Sequence, residues 1–353
     1  MRRLILLGLM AFLVLPAEAA KRITVQQLEQ ALAEETASHR ADAEVVHRLA
    51  EVELSQRLTD ETLDRFVRKL PLGPRTALAL EMLADQSAFL DPPPSELPAT
   101  ENPDTATQQR MMDMARGYVV SIWPHLPDFF VSRTTARFND APQVVHEGDW
   151  PVRLGLHLVG TATRNVTYRD GKETQDQATE TAASGATAAV PAEQQERGMA
   201  AWGTFGPELT IVLTDTAKGT VKWSHWERSA NGLSAVYSYS VPKAASRFEV
   251  SYCCLREDAP SQRRELRYGG PGRAQQTGVA TAPATAKVFR ATPGYHGEIA
   301  VDPNTGAILR VTLEAELKND DPITRAATVV DYGPVMIGDR KYIFPTRSLA
   351  FSM

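Results

Sequence analysis

Cysteine is nearly absent from this chain. Only Cys253 and Cys254 occur among 353 residues, and they are neighbours. A scaffold stapled by several disulfides is therefore excluded. Consecutive side chains on a strand point to opposite faces, so a bond between these two demands a distorted turn. The simpler reading is one cysteine packed in a core and the other facing out. Long apolar runs are also missing. The longest, Leu4 to Leu15, is about a dozen residues, short of the roughly 20 that a membrane-spanning helix needs. A basic block is missing too: 38 Lys and Arg stand against 43 Asp and Glu for a formal net charge of −5, which argues against nucleic acid as the main partner. Finally, catalytic signatures are lacking. There is no Gly-x-Ser-x-Gly elbow, no Gly-x-x-x-x-Gly-Lys phosphate loop and no His-Glu-x-x-His pair. Nothing in the sequence calls for a cofactor.

The amino terminus carries the most specific positive signal. Arg2 and Arg3 form a charged start, Leu4 to Leu15 an apolar stretch, and Ala17-Glu18-Ala19 a small-residue cleavage site. This reads as an export signal cleaved after Ala19 or Ala20, which places the chain in the periplasm or outside the cell. Loss of Arg2, Arg3 and Glu18 moves the net charge from −5 to −6. No cysteine follows the apolar run, so a lipid anchor is not expected.

Residues 24 to 90 are expected to be helical throughout. Thr24 can cap a helix burying Val25, Leu28, Ala31 and Leu32; a second carries Ala43, Val46, Leu49, Ala50 and Leu54 on one stripe. A third starts near Thr59 with Leu63, Phe66, Val67 and Leu70 along one side, and a fourth runs from about Arg75 to Leu90. Helices this short need each other, so a small antiparallel bundle over 21–90 follows. Its interspersed Glu and Arg read as a solvated face or as a surface for a protein partner. The prolines of 91–104 mark a semi-rigid linker. A further helix, about Thr105 to Trp123, carries Met111, Met112, Met114, Val119 and Ile122. Methionine adapts to irregular apolar shapes, which suits either a lipid-accommodating surface or packing beneath a sheet.

From Leu126 onwards alternation replaces the helical period. Hairpins are expected at Asp170-Gly171, at Ala230-Asn231-Gly232 and at Asp302-Pro303-Asn304-Thr305-Gly306, where Gly306 can take a positive φ. Three strands at regular spacing, 219–228, 233–242 and 246–255, are read as neighbours, and Pro207 opens a short helix over the sheet. Stretches near 175–196 and 256–287 have little to bury and are expected as mobile insertions. The fold class is α+β: a small helical bundle followed by a curved, half-barrel-like antiparallel sheet (105–353) with helical cover. Trp223, Tyr237, Tyr239, Phe248 and Tyr252 supply wide apolar faces and are the candidate ligand-binding residues. His296, between Gly294 and Gly297 and before Glu298, is the one histidine to test beside them; it also reads as a plain strand-entry residue. The other histidines have no close ligand spacing, so no metal site is expected. The turn at Asp302 resembles the start of a calcium loop but lacks the later acidic residue, and turn chemistry accounts for it.

The strand-rich order, the Phe205-Gly206-Pro207-Glu208 helix and the hairpin from Tyr295-His296-Gly297-Glu298-Ile299-Ala300-Val301-Asp302 to Thr305-Gly306-Ala307-Ile308-Leu309 together resemble the lipoprotein-carrier superfamily of bacterial envelopes. The likeness spans about residue 115 to the end. It implies a half-open barrel folded over helices, whose apolar concave face holds acyl chains. The chain departs from that pattern in its length and its preceding bundle, and the family's arginine on an early strand has no assignable counterpart. Three functions follow as expectations. The first is an exported, non-enzymatic envelope protein holding a lipid or a lipoprotein acyl chain; the second, a scaffold gripping a protein partner through 21–90. The third is a hydrolase with scattered groups such as Asp149, His157 or His296.

Overall fold

A computed structural model describes residues 21–122, 127–139, 157–169, 172–175, 179–182, 187–189, 198–199, 207–229, 232–255 and 287–353. The stretch expected to be an export signal, Asp149, most of 175–196 and the stretch 256–286 lie outside these residues. No helix among the described residues is long and apolar enough to cross a membrane. The chain divides into two compact units, residues 1–93 and 94–353.

The first unit holds four helices: α1 (Val25–Ala37), α2 (Asp42–Leu49), α3 (Asp60–Lys69) and α4 (Pro74–Gln86). Thr24 starts α1 with a reciprocal box: its hydroxyl accepts from Gln27 N, while Gln27 Oε1 accepts from Thr24 N. Thr59 caps α3 by accepting from Thr62 N. Leu28, Leu32, Leu49, Phe66 and Leu80 meet in one core. Two expectations fail here. The unit is not helical throughout, because β1 (Lys21–Ile23) and β2 (Val52–Leu54) form a parallel pair with α1 and α2 as the crossover. Leu54 is thus a strand residue that buries itself beside Ile23. On α2 and α3 the buried positions are Val45, Leu49, Thr62 and Phe66, whereas Val67 is exposed, as is Ala31 on α1; on α2 and α3 the stripe is rotated by about one residue from the expected one.

The second unit begins with α5 (Thr105–Ile122), capped by Asp104, whose Oδ1 accepts from Thr107 N at 2.7 Å. A first sheet follows from β3 (Phe129–Asn139), β4 (His157–Arg169), β5 (Lys172–Gln175), β6 (Thr179–Ala182) and β7 (Thr187–Ala189), with β5 paired antiparallel to β4; the turn expected at Asp170-Gly171 lies outside the described residues. Thus two short strands, β6 and β7, lie inside the stretch read as an insertion. After β8 (Gly198–Met199) and α6 (Pro207–Asp215) comes the principal hairpin pair, β9 (Thr220–Ser229) and β10 (Gly232–Val241).

The next strand leaves that pair. Pro242 and the turn at Lys243–Ala245 redirect the chain, and β11 (Val250–Leu255) joins β12 (Lys287–Ala291) and β8 in a separate three-stranded sheet. Hence 246–255 is not a neighbour of 233–242. What holds the redirected chain is Asp215, buried at the end of α6: its carboxylate accepts from Arg247 N at 2.8 Å, Arg247 Nε at 2.7 Å and Tyr295 Oη at 3.1 Å. The place beside β10 is taken by β13 (Tyr295–Val301), followed by β14 (Ile308–Ala315), β15 (Ala326–Ile337) and β16 (Arg340–Ser352).

These strands form an open antiparallel sheet in the order β16-β15-β14-β13-β10-β9, the main body of an α+β fold. Bulges in the β9–β10, β13–β14 and β15–β16 pairings bend it. In the β13–β14 turn, Asp302 Oδ1 accepts from Asn304 N and Thr305 N, and Gly306 takes a φ of +76°.

Candidate functional site

Alternation gives β10 two unlike faces. Ala235, Tyr237, Tyr239 and Val241 point one way; Ser234, Val236, Ser238 and Ser240 point the other. Register carries the first face across the sheet through Ile299 and Val301 of β13, Val311 and Leu313 of β14, and Val330 of β15. Two helices close it. Met111, Met112, Ala115 and Val119 descend from α5, and Leu209, Val212 and Leu213 from α6. The aromatic face is therefore filled by the protein's own side chains.

At its β9 end the rings meet edge to face. Trp223 lies 4.9 Å from Trp226 and 5.5 Å from Tyr237, centroid to centroid. Two of these rings also fasten the segment above them: Trp226 Nε1 donates to the Glu101 carbonyl at 2.9 Å and Tyr237 Oη to the Gln108 carbonyl at 2.8 Å. Burial pushes the Tyr237 hydroxyl up to about 12. Tyr295, fully buried between Tyr239 and Phe248, is pushed up further by burial and by the Asp215 carboxylate.

The six candidate residues do not form one site. Trp223, Tyr237, Tyr239 and Phe248 share the face just described. Tyr252 rides on β11 and packs with Val250, Phe289 and Ile323 in another cluster. His296 sits on the opposite face in register with Ser240 and Glu314, exposed, its Nδ1 3.7 Å from Glu316 Oε1. A strand has period two, so His296 is turned away from its neighbour Tyr295. Of the scattered hydrolase groups, Asp149 and the side chain of His157 fall outside the described residues. No group of three or more His, Cys, Asp or Glu converges on a metal-sized space among those described.

The opposite face holds a cluster that sequence reasoning missed. The β9–β10 pairing slips by one residue: His225 faces Val236, Trp223 faces Tyr237, and Ser224 between them has no cross-strand partner. Ser224 Oγ lies 2.9 Å from His225 Nδ1 and 3.4 Å from Glu298 Oε1, while His225 Nε2 is 3.4 Å from Glu227 Oε2. Serine, histidine and carboxylate in that order suggest an activated nucleophile. The electrostatics oppose it. Glu298 places a negative charge beside the oxygen that would attack, where acyl transfer develops negative charge and needs donors. Ser224 is moreover exposed on an open strand surface, where water screens and competes. The arrangement is better suited to holding the bulge together than to catalysis.

Comparison with protein-family models, with curated proteins and with solved structures found no match.

Proposed function

We propose that this is an exported, non-enzymatic binding protein of the cell envelope, and that its ligand is apolar: a lipid, or the acyl chain of a lipoprotein. The ligand lies on the aromatic face of the six-stranded sheet in the place that α5 occupies here. The observation that carries this reading is the make-up of the cover. The face is continuous from β9 to β15, and α5 meets it with adaptable methionine, Met111 and Met112, and small Ala115.

Exchange of that helix for a chain is energetically reasonable. Exposing three large apolar side chains costs about 5–9 kcal/mol, at roughly 1.5–3 kcal/mol each. An acyl chain of about 14 carbons recovers on the order of 11 kcal/mol at ~0.8 kcal/mol per buried methylene. The resemblance to envelope lipoprotein carriers points to the same class of ligand. Stripped of bound lipid and refolded, the protein should take up the fluorescent fatty acid cis-parinaric acid saturably, with energy transfer from the tryptophans. Absence of saturable uptake would end this reading.

A second reading, a scaffold gripping a protein partner through the helical bundle, draws support from Val67 and Leu78. Each is a large apolar side chain about half exposed, on α3 and α4 respectively. Full-length protein should then capture the same envelope protein reproducibly, and V67D/L78D should not.

A further inference from the structure

Strand β9 carries two tryptophans three residues apart whose indole N–H groups meet different fates. That of Trp226 donates to the Glu101 carbonyl. That of Trp223 is buried and has no acceptor within reach among the described residues. Its ring is wedged between Trp226 and Tyr237, both edge to face. The large majority of buried N–H groups are paired, because water lost on burial has to be replaced by another acceptor. A phenylalanine would fill the same space without that cost. The position is also distinctive: β9 is the edge of the sheet, and Lys222 and Ser224 on either side of Trp223 are exposed. An apolar molecule lying across the sheet would thus have one end at Trp223 and its length over Tyr237, Ile299 and Val311.

We propose that Trp223 Nε1–H is the polar recognition point of the apolar site, donating a hydrogen bond to the carbonyl oxygen of an acyl ester or amide. This rests on the apolar-binding reading above and narrows it. Acyl chains that carry a carbonyl at one end are the ligand class, and plain hydrocarbon is not. The carbonyl sits at the edge strand, the chain runs inward, and whatever is esterified to it projects past β9 into solvent. A neutral carbonyl suits a donor of this kind, because it brings one acceptor and no charge to be desolvated.

The test is displacement of cis-parinaric acid from the full-length protein by a fatty-acid methyl ester and by an alkane of equal chain length. The wild type should favour the ester about fivefold, the worth of one ordinary hydrogen bond. Trp223→Phe should abolish that preference, ester and alkane then binding equally, and a cooperative thermal unfolding transition by circular dichroism shows that the variant is folded. Trp226→Phe should keep the preference. In ultraviolet resonance Raman difference spectra, the part of the indole N–H band that is lost in Trp223→Phe should shift on adding ester to the wild type and stay put on adding alkane. Equal binding of ester and alkane by the wild type, or a preference that survives Trp223→Phe, overturns the assignment while leaving an apolar site in place. Failure to take up cis-parinaric acid at all sinks both.

Discussion

The carboxylate of Asp42, on α2, seals the first turn of α4 through Thr76. Its Oδ1 accepts from Thr76 N at 2.9 Å and from Thr76 Oγ1 at 2.5 Å, and Oδ2 accepts from Arg75 N at 3.0 Å. The residue at the start of α4 is Gly73, which has no side chain to offer, and a Cβ there would meet the Asp42 carboxyl carbon at 2.2 Å. The glycine makes room for a cap supplied by another helix.

That cap predicts a pH dependence. The Thr76 hydroxyl, ahead of the backbone N–H groups of Arg75 and Thr76, holds the Asp42 carboxyl below the ordinary 3.8. A depressed folded value means the stabilisation is present above the unfolded value and lost as the pH falls through the folded one. Asp42→Asn should lower the thermal midpoint at neutral pH and flatten the loss of stability below about pH 4. Circular dichroism melts from pH 2 to 7 check this. An acid limb identical to that of the wild type would count against the cap.

Gly306 is constrained twice. Its φ of +76° disfavours any side chain, and a Cβ would stand 2.6 Å from the Met114 carbonyl carbon and oxygen on α5. Gly338 shares the first constraint only: its φ is +59° and nothing lies within 4 Å. Gly338→Ala should therefore cost about 1 kcal/mol from the backbone alone, and Gly306→Ala about 2–4 kcal/mol because the hairpin must also back away from the helix. Urea titrations of the two variants separate the contributions. Equal losses would mean that the turn does not press on α5.

The turn at Gly306 was readable beforehand because every element of it is local: an aspartate that folds onto its own backbone, a proline, and a glycine between alternating strands. The same holds for the Tyr–Ser alternation of β10 and for the cap at Thr24. What escaped reading depends on partners distant in sequence. Lys21–Ile23 and Val52–Leu54 are too short to show a period, and only their pairing across two helices makes them strands. Strand β11 has the same pattern as β10, and the Asp215–Arg247 contact that pulls it away joins residues 32 apart. Ser224 and His225 should face opposite ways on a regular strand; the one-residue slip against β10 brings them to the same side, and no pattern of residue types announces such a slip. Likewise the aromatic residues were recognisable as an apolar face, but not which of them would share it.

Asp215 is the buried acceptor on which α6, β13 and the start of β11 converge. It is 2% exposed and takes hydrogen bonds from Tyr295 and from both the backbone and the guanidinium of Arg247. Asp215→Ala strands a buried tyrosine hydroxyl and frees the redirected chain. The expected loss is about 2–4 kcal/mol, nearer the lower figure because Arg247 is half exposed and can turn to water. Asp215→Asn, which keeps an acceptor, should recover part of it. Guanidinium unfolding of the two variants decides, and a loss below about 1 kcal/mol for the alanine variant would show that the packing of α6 holds without the carboxylate.

Tyr237 links the cover to the sheet, and its titration reports on that link. Its hydroxyl donates to the Gln108 carbonyl of α5 and is buried, which pushes it up to about 12 from 10. A raised folded value stabilises the fold fully below pH 10, and that contribution is lost as the pH rises towards 12. Tyr237→Phe should therefore remove part of the alkaline slope of stability between pH 10 and 12, with Tyr118, Tyr168 and Tyr295, all raised by burial, contributing to the rest. At neutral pH the same change deletes one hydrogen bond between sheet and helix, worth about 1 kcal/mol. If the closed helix competes with an acyl chain for the aromatic face, weakening the closed state by that amount raises the apparent affinity for cis-parinaric acid by up to about fivefold. A simple core defect would have the opposite effect, because a looser sheet binds less well. Tighter binding by a less stable variant is thus the result that distinguishes a displaceable cover from a permanent one. Unchanged or weaker binding would mean that α5 stays down.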